Sequence, residues 1–581
     1  MLFLMKYASR FPLIVAPVVA SVALALAPCA STFAQGPLTM PQINDRAVVM
    51  GILAAEFALQ GGDVATAANT YYEVAKRSQD AKVAERAVDL LLRARRLDEA
   101  KEITTLWQAA DETAARPSQI ALALALNTQD QARAIDAVNR IAALPAETRD
   151  AAIMDVARQL AQVRDRDIAV KLATIFTERL PALPESHYAL AVASTGVSSS
   201  RINEAMLAID RALTLKPNWP QAVAVKSRLL LTRSTSGKTA VADRAEAVAI
   251  LESAITANAG ARELRVLLAR THFDLENFAD ARKRFLELAE DGRDDAEEMR
   301  LSATLSSFQA KDWDTAEREF SESLSADRGD PGAVLYYLAR ISESQKRWGE
   351  AVERFAQVPR GERYWESQLR IAGALAQDKR MLQAMSHLRA LKPSNELERL
   401  SRAQTESAMW RDAGDNVKAF EALDAALAAD ADNGDLLYES AMLAERIDRL
   451  DEAEKRLRRV IALQPERAHA YNALGYSFAD RNINLDEART LIEKAHRIAP
   501  DDAAILDSMG WIAFRQGRWT DAERYLKQAY EKFQDGEIAA HLGEVLWSQG
   551  RKDEARSVWQ TQLKAQPDSD IIKKTMSRLE K

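Results

Sequence analysis

Cysteine is almost missing from this chain of 581 residues: the one copy is Cys29, inside an apolar leader. Beyond the leader no disulfide and no cysteine-held metal can form, so the chain tolerates an oxidising or a reducing compartment. Glycine (21) and proline (17) are few, and they leave no long turn-rich or linker-rich stretch for a second kind of domain. Basic excess is missing too. The formal net charge is −7, with both signs interleaved, which excludes the basic stripe of a nucleic-acid surface. The six histidines (His187, His272, His387, His469, His496 and His541) include no pair at HExxH spacing. No GxSxG occurs. Gly237-Lys238-Thr239 lacks both the earlier glycine and the preceding strand of a phosphate loop. Acidic pairs such as Asp451-Glu452 and Asp486-Glu487 fall at helix starts, where carboxylates complement the positive end of the helix dipole. The expectation is a non-enzyme with no metal, no cofactor and no small-molecule substrate.

Long apolar runs are confined to the first residues. Lys6 and Arg10 precede the apolar stretch from Phe11 to Ala27, and Thr32-Phe33-Ala34 supplies small residues before Gln35. Residues 1–34 are expected to be a secretory signal peptide cleaved after Ala34, with Met1 or Met5 as the start. Pro12 and Pro17 interrupt the apolar core, which is short for a membrane span of ~20 residues. Leu26-Ala27-Pro28-Cys29 resembles a lipobox, although Pro28 stands where a small residue is needed, so Cys29 is the candidate lipidation site. The expected location is the periplasm, with a tether to the outer membrane only through a lipid on Cys29.

What the chain does have is alanine at a fixed interval. A short linker spans residues 35–42, and from Ile43 onward apolar residues recur at helical spacing. Ala67, Ala100, Ala134, Ala169, Ala205, Ala247, Ala281, Ala316, Ala351, Ala384, Ala419, Ala453, Ala488, Ala522 and Ala555 stand about 35 residues apart. Each opens the second helix of a helical hairpin, where only a small side chain lets the two helices cross closely. Four residues on, the position is usually bulky, as at Tyr71, Phe285, Phe320, Phe355, Ile492, Leu526 and Trp559. Pro217, Pro465, Pro500 and Pro567 stop second helices. The pattern divides into degenerate repeats at 43–233, a polar loop at 234–240, well-formed repeats at 241–567 and a capping helix at 568–581. The polar loop is either a hinge or a surface insertion. From Lys101 to Leu180 the helices persist but the aromatic landmarks fade.

The stretch from Ala468 to Pro567 repeats a Leu/Met-Gly pair at Gly475, Gly510 and Gly543, 35 and 33 residues apart. Tyr471, Leu474, Gly475, Phe478, Ala488, Ile492, Ala495 and Pro500 follow the order of the tetratricopeptide repeat (TPR) family, with one extra residue in the turn. The resemblance implies an all-α solenoid of about fifteen tandem helical hairpins wound as a right-handed superhelix. It further implies a scaffold whose first helices line a concave face and hold a protein or peptide partner. The inward stripe then comprises Tyr438, Met442, His469, Asn472, Tyr476, Asp507, Trp511, Phe514, Arg515, His541 and Trp547. Aromatic and arginine side chains of this kind supply binding hot spots. For Trp511, Phe514 and Trp547 the other use is padding between hairpins, and helical spacing does not choose between the two. A clamp for a free C-terminal carboxylate is not expected, because Asn472 alone of its polar ligands is present. In layout the chain is similar to proteobacterial envelope TPR adaptors that deliver substrates to a carboxyl-terminal processing protease. The alternative is an assembly scaffold for secretion or polysaccharide export.

Overall fold

The computed structural model describes residues 46–195, 199–233 and 240–580. The leader with Cys29, the linker, and residues 234–239 of the polar loop lie outside the described residues. Within them thirty-one helices follow one another, from α1 (Arg46–Gln60) to α31 (Asp570–Leu579), and no strand occurs among the described residues. The fold is the all-α array of helical hairpins that the spacing predicts: fifteen hairpins and a closing helix.

The fifteen alanines all lie in the second helices, and all are 3% exposed or less. Each is the fourth residue of its helix except Ala205 and Ala247. Their helices, α10 (Ser199–Leu215) and α12 (Ala240–Ala257), start about a turn early. The long step between these two alanines is thus partly taken up as helix, and Ala240 opens α12 instead of closing the polar loop. The bulky residues four positions after the alanines are buried throughout. In the stretch without landmarks, Thr104, Val138 and Ala173 take the same position and are equally buried. The hairpins persist there with smaller side chains in the groove.

A close contact ties the landmark glycines to the alanines. A Cβ on Gly475 would sit 2.9 Å from the Ala488 carbonyl oxygen and 2.6 Å from Ile492. One on Gly510 would sit 3.1 Å from the Ala522 oxygen and 2.5 Å from Leu526. Glycine in the first helix and alanine in the second are two sides of one crossing, which neither helix could make with larger side chains.

The turns repeat as closely as the helices. In eleven hairpins the residue five before the alanine has positive φ, as at Gly62, Lys311, Lys346, Gly517 and Gly550. At the hairpin with one extra residue it is Asn482, six before Ala488. This residue ends the first helix in a Schellman motif: Lys346 N–H donates to Glu343 O (3.0 Å) and Arg347 N–H to Ser342 O (2.8 Å). A left-handed backbone costs a lysine about 1–2 kcal/mol that glycine escapes, less the entropy glycine loses on folding. Lys346→Gly is therefore expected to stabilise its hairpin by about 0.5–1 kcal/mol, read as slower hydrogen exchange in the flanking helices. Slower exchange nowhere would count against the motif.

Prolines 217, 465, 500 and 567 each stand two residues beyond the end of a second helix. Helix α31 covers the last hairpin. Its Ile572 is fully buried, and Arg578 donates to Glu544 at 2.8 Å. The chain divides between Ser323 and Leu324 into two compact units. In the unit that begins at Leu324, four first helices carry the candidate residues: α23 (Gly434–Arg446), α25 (Ala468–Asp480), α27 (Ala503–Arg515) and α29 (Gly536–Ser548). Helix α25 packs on α27 and α27 on α29. Contacts are sparse between the successive second helices α24 (Leu450–Leu463), α26 (Leu485–Ile498) and α28 (Trp519–Lys532). From α25 to α29 the first helices thus form a continuous wall, and the second helices fan out behind it.

Candidate functional site

A groove of about 340 Å³ opens on this wall. Tyr438 and Met442 of α23 form one side, and His469, Asn472, Ala473 and Tyr476 of α25 the middle. The far side comprises Asp502, Ala503, Ala504, Asp507 and Ser508 around the start of α27, with Asp535, Glu537 and Ile538 around the start of α29. Six residues of the predicted stripe therefore meet in one place: Tyr438, Met442, His469, Asn472, Tyr476 and Asp507. Their positions follow from helical spacing, since residues three and four apart share a face.

Two others of the stripe lie beneath the groove. His541 is buried and binds both carboxylate oxygens of Asp507 through Nδ1, at 2.9 and 3.0 Å. The Trp511 ring stacks on the His541 imidazole, with centroids 4.1 Å apart and planes 19° from parallel. Only 4% of Trp511 is exposed, and its indole N–H has no hydrogen-bond acceptor. The remaining three line no part of the groove. Phe514 flanks Trp511 at 5.3 Å, Arg515 donates to the Asp480 carbonyl, and Trp547 packs on Trp559 and beneath Lys552 and Arg556. Trp511 and Trp547 thus pad the wall, one behind the groove and one at its end.

The polar groups form a network across three helices. The Tyr476 hydroxyl donates to Glu537 at 2.8 Å and lies 3.5 Å from His541 Nε2. Burial and the nearby Asp507 raise the Tyr476 hydroxyl well above its usual pKa, and burial pushes Tyr438 up to about 12. Both tyrosines are therefore neutral donors over the whole physiological range. Asp502 and Asp535 cap the N-termini of α27 and α29, accepting from Ala504 and Ile505 and from Glu537 respectively. Burial raises the Asp535 carboxyl above the usual range, with Asp507 adding to the shift. Burial likewise raises Glu439 and Glu445, also on α23.

Asp502, Asp535 and Glu537 were not among the predicted residues. In the sequence they read as caps and first-turn carboxylates, which every helix can carry. Only the stacking of α25, α27 and α29 brings successive N-termini to one groove. With Asp507 they make up the carboxylates of its lining.

No group of three or more potential ligands for a metal occurs among the described residues. No described helix is long and apolar enough to cross a membrane.

Models of the tetratricopeptide repeat family match residues 240–303, 411–475 and 508–570. The TPR repeat-containing protein PA4667 of Pseudomonas aeruginosa is 37% identical over 247 residues, 42% of each chain. Human tetratricopeptide repeat protein 7A is 32% identical over 90 residues, 15% of this chain and 10% of that protein. The chain thus spans less than half the length of these curated relatives. Among solved structures, a thermophilic TPR protein of Thermus thermophilus, TTC0263, aligns at 23% identity and a TM-score of 0.29, covering 32% of this chain and all of that one.

Proposed function

Because the chain is a tetratricopeptide-repeat protein, we propose that it is a non-catalytic scaffold that holds a segment of a protein partner in the groove on α23, α25, α27 and α29. The observation that carries this reading is the groove itself. Four consecutive first helices place two tyrosines, a methionine and a set of carboxylates around one opening. An aromatic wall with a few fixed polar groups suits an extended peptide. The finer reading is an exported adaptor in the bacterial envelope that presents substrates to a processing protease, with a lipid on Cys29 as the tether to the outer membrane. It is supported by the layout of leader and long array. The alternative is an assembly scaffold for secretion or polysaccharide export.

A photo-crosslinking residue at Met442, in the groove wall, separates these readings in intact cells. The adaptor predicts crosslinks to a protease or its substrates, and the alternative predicts secretion or export components. Crosslinking from an exposed second-helix position but never from Met442 would overturn the groove as the binding site.

A further inference from the structure

We propose that the outer face of α1 docks a second copy of this chain, the two α1 helices lying antiparallel about a two-fold axis. The proposal goes beyond the groove and does not depend on it.

The face is apolar where the end of an array should be polar. A solenoid needs polar outer faces on its terminal repeats, because no neighbour covers them. Helix α31 meets that need: Lys573, Lys574 and Ser577 are exposed, while Ile572 and Thr575 are buried. Helix α1 does not. Met50 is 61% exposed, Leu53 41% and Phe57 69%, with Ala54 exposed among them and Val64 exposed just past the turn. Residues three and four apart share a face, so those of the helix form one stripe. The other side of the helix is already in use. Val48 and Ala55 are buried, and Glu56 accepts from the Tyr71 hydroxyl at 2.7 Å and from Arg86 at 3.1 Å. A helix apolar all round belongs where every side is covered.

Charge selects what covers it. The charged residues of α1 are Arg46 and Glu56, and Glu56 is engaged inward. A membrane-surface helix carries several Lys or Arg beside its apolar face, and α1 has Arg46 alone. A second stripe of the same kind matches the first without burying a charge. An antiparallel pair centred near Ala55 sets Leu53 of each copy beside Phe57 of the other, and Met50 beside exposed Gln60. It also brings exposed Arg46, at the start of one helix, level with exposed Asp63 beyond the negative end of the other. A parallel pair would set Arg46 against Arg46.

The area is enough for a weak dimer. The exposed parts of Met50, Leu53, Phe57 and Val64 amount to on the order of 400 Å² per copy, so with a polar rim the contact reaches about 1,000 Å² in total, the low end for a specific interface. A dimer carries the groove twice, which raises avidity for any partner with more than one matching segment.

Sedimentation velocity of the purified protein over about a hundredfold range of concentration is the first measurement. A monomer–dimer equilibrium is expected, with a dissociation constant on the order of 10 μM. Phe57→Lys puts a charge into the contact at a side chain that is mostly exposed, so circular dichroism should not change while association weakens at least about tenfold. The second measurement reads the geometry, in a Cys29→Ser background. Met50→Cys and Gln60→Cys proteins, mixed and oxidised, should form a disulfide-linked heterodimer. Neither should link to itself, since like positions in the antiparallel pair stand about 15 Å apart along the axis, beyond the reach of a disulfide. Self-linkage of each variant would show a parallel pair and overturn the proposal. A dimer that Phe57→Lys leaves intact would place the contact elsewhere and overturn it too. A monomer at every concentration would equally overturn it, and would leave the stripe to residues 35–45 or to another protein.

Discussion

Trp559→Ala is expected to remove about 3–5 kcal/mol from the last repeats, as for other fully buried large aromatics. Trp559 is 0% exposed and fills the space where a Cβ on Gly543 would stand, so the two residues form one contact. Gly543→Ala drives a methyl into the indole and is expected to cost about 1–3 kcal/mol by overpacking. The two effects are coupled. In a Trp559→Leu background the smaller side chain leaves room, and Gly543→Ala should then cost markedly less. A double-mutant cycle reads that difference directly. The location of the loss is as informative as its size. Each repeat of a solenoid is held by its neighbours, so damage at the end frays the end. Hydrogen exchange should accelerate in α29, α30 (Lys552–Ala565) and α31, with little change in the repeats before α27. Additive costs in the cycle, or unchanged protection of α29 to α31, would defeat the argument.

The same contact explains why the architecture could be read from the sequence. Alanine at the crossing is a steric requirement, met afresh in every hairpin, so it leaves a mark every ~35 residues. The mark survives where the aromatic landmarks do not: Ala134 and Ala169 are buried as Ala488 is, with Val138 and Ala173 taking the place of Ile492. The turn adds a second regular mark, for Asn482 shifts by one residue where the sequence has one more. The groove was legible only in part. Spacing along one helix placed Tyr438, Asn472, Tyr476 and Asp507 on the shared face, because a face is a local property. The depth of Trp511 is not local. It depends on how far α29 leans over α27, which sets His541 against the indole ring. The acid of the groove was hidden for a related reason. Asp502 and Asp535 serve as helix caps in any setting, and only packing between hairpins turns two caps toward one space.

Asp507 separates the groups that build the wall from those that meet a partner. Its carboxylate and the His541 imidazole are both buried, with side chains 7% exposed. Asp507→Ala is expected to cost about 2–4 kcal/mol, because it leaves a buried imidazole without its partner. It should also weaken binding in the groove, since Trp511 stacks on that imidazole and Tyr476 lies 3.5 Å from its far nitrogen. Asp507→Asn keeps an oxygen that accepts from Nδ1 and should cost less than the alanine. The two substitutions then differ in a useful way. If Asp507 acts by holding His541, the asparagine variant keeps most of its affinity for a peptide bound in the groove. If the Asp507 carboxylate itself meets the partner, asparagine loses affinity as alanine does while stability stays near the original. The two contacts with His541 Nδ1 favour the first outcome, because a carboxylate already bonded to a buried imidazole has less to offer a partner. Denaturant unfolding and peptide titration on the same two variants decide it. An Asp507→Ala protein of unchanged stability would show that His541 finds another acceptor, and the role assigned to the pair would fall.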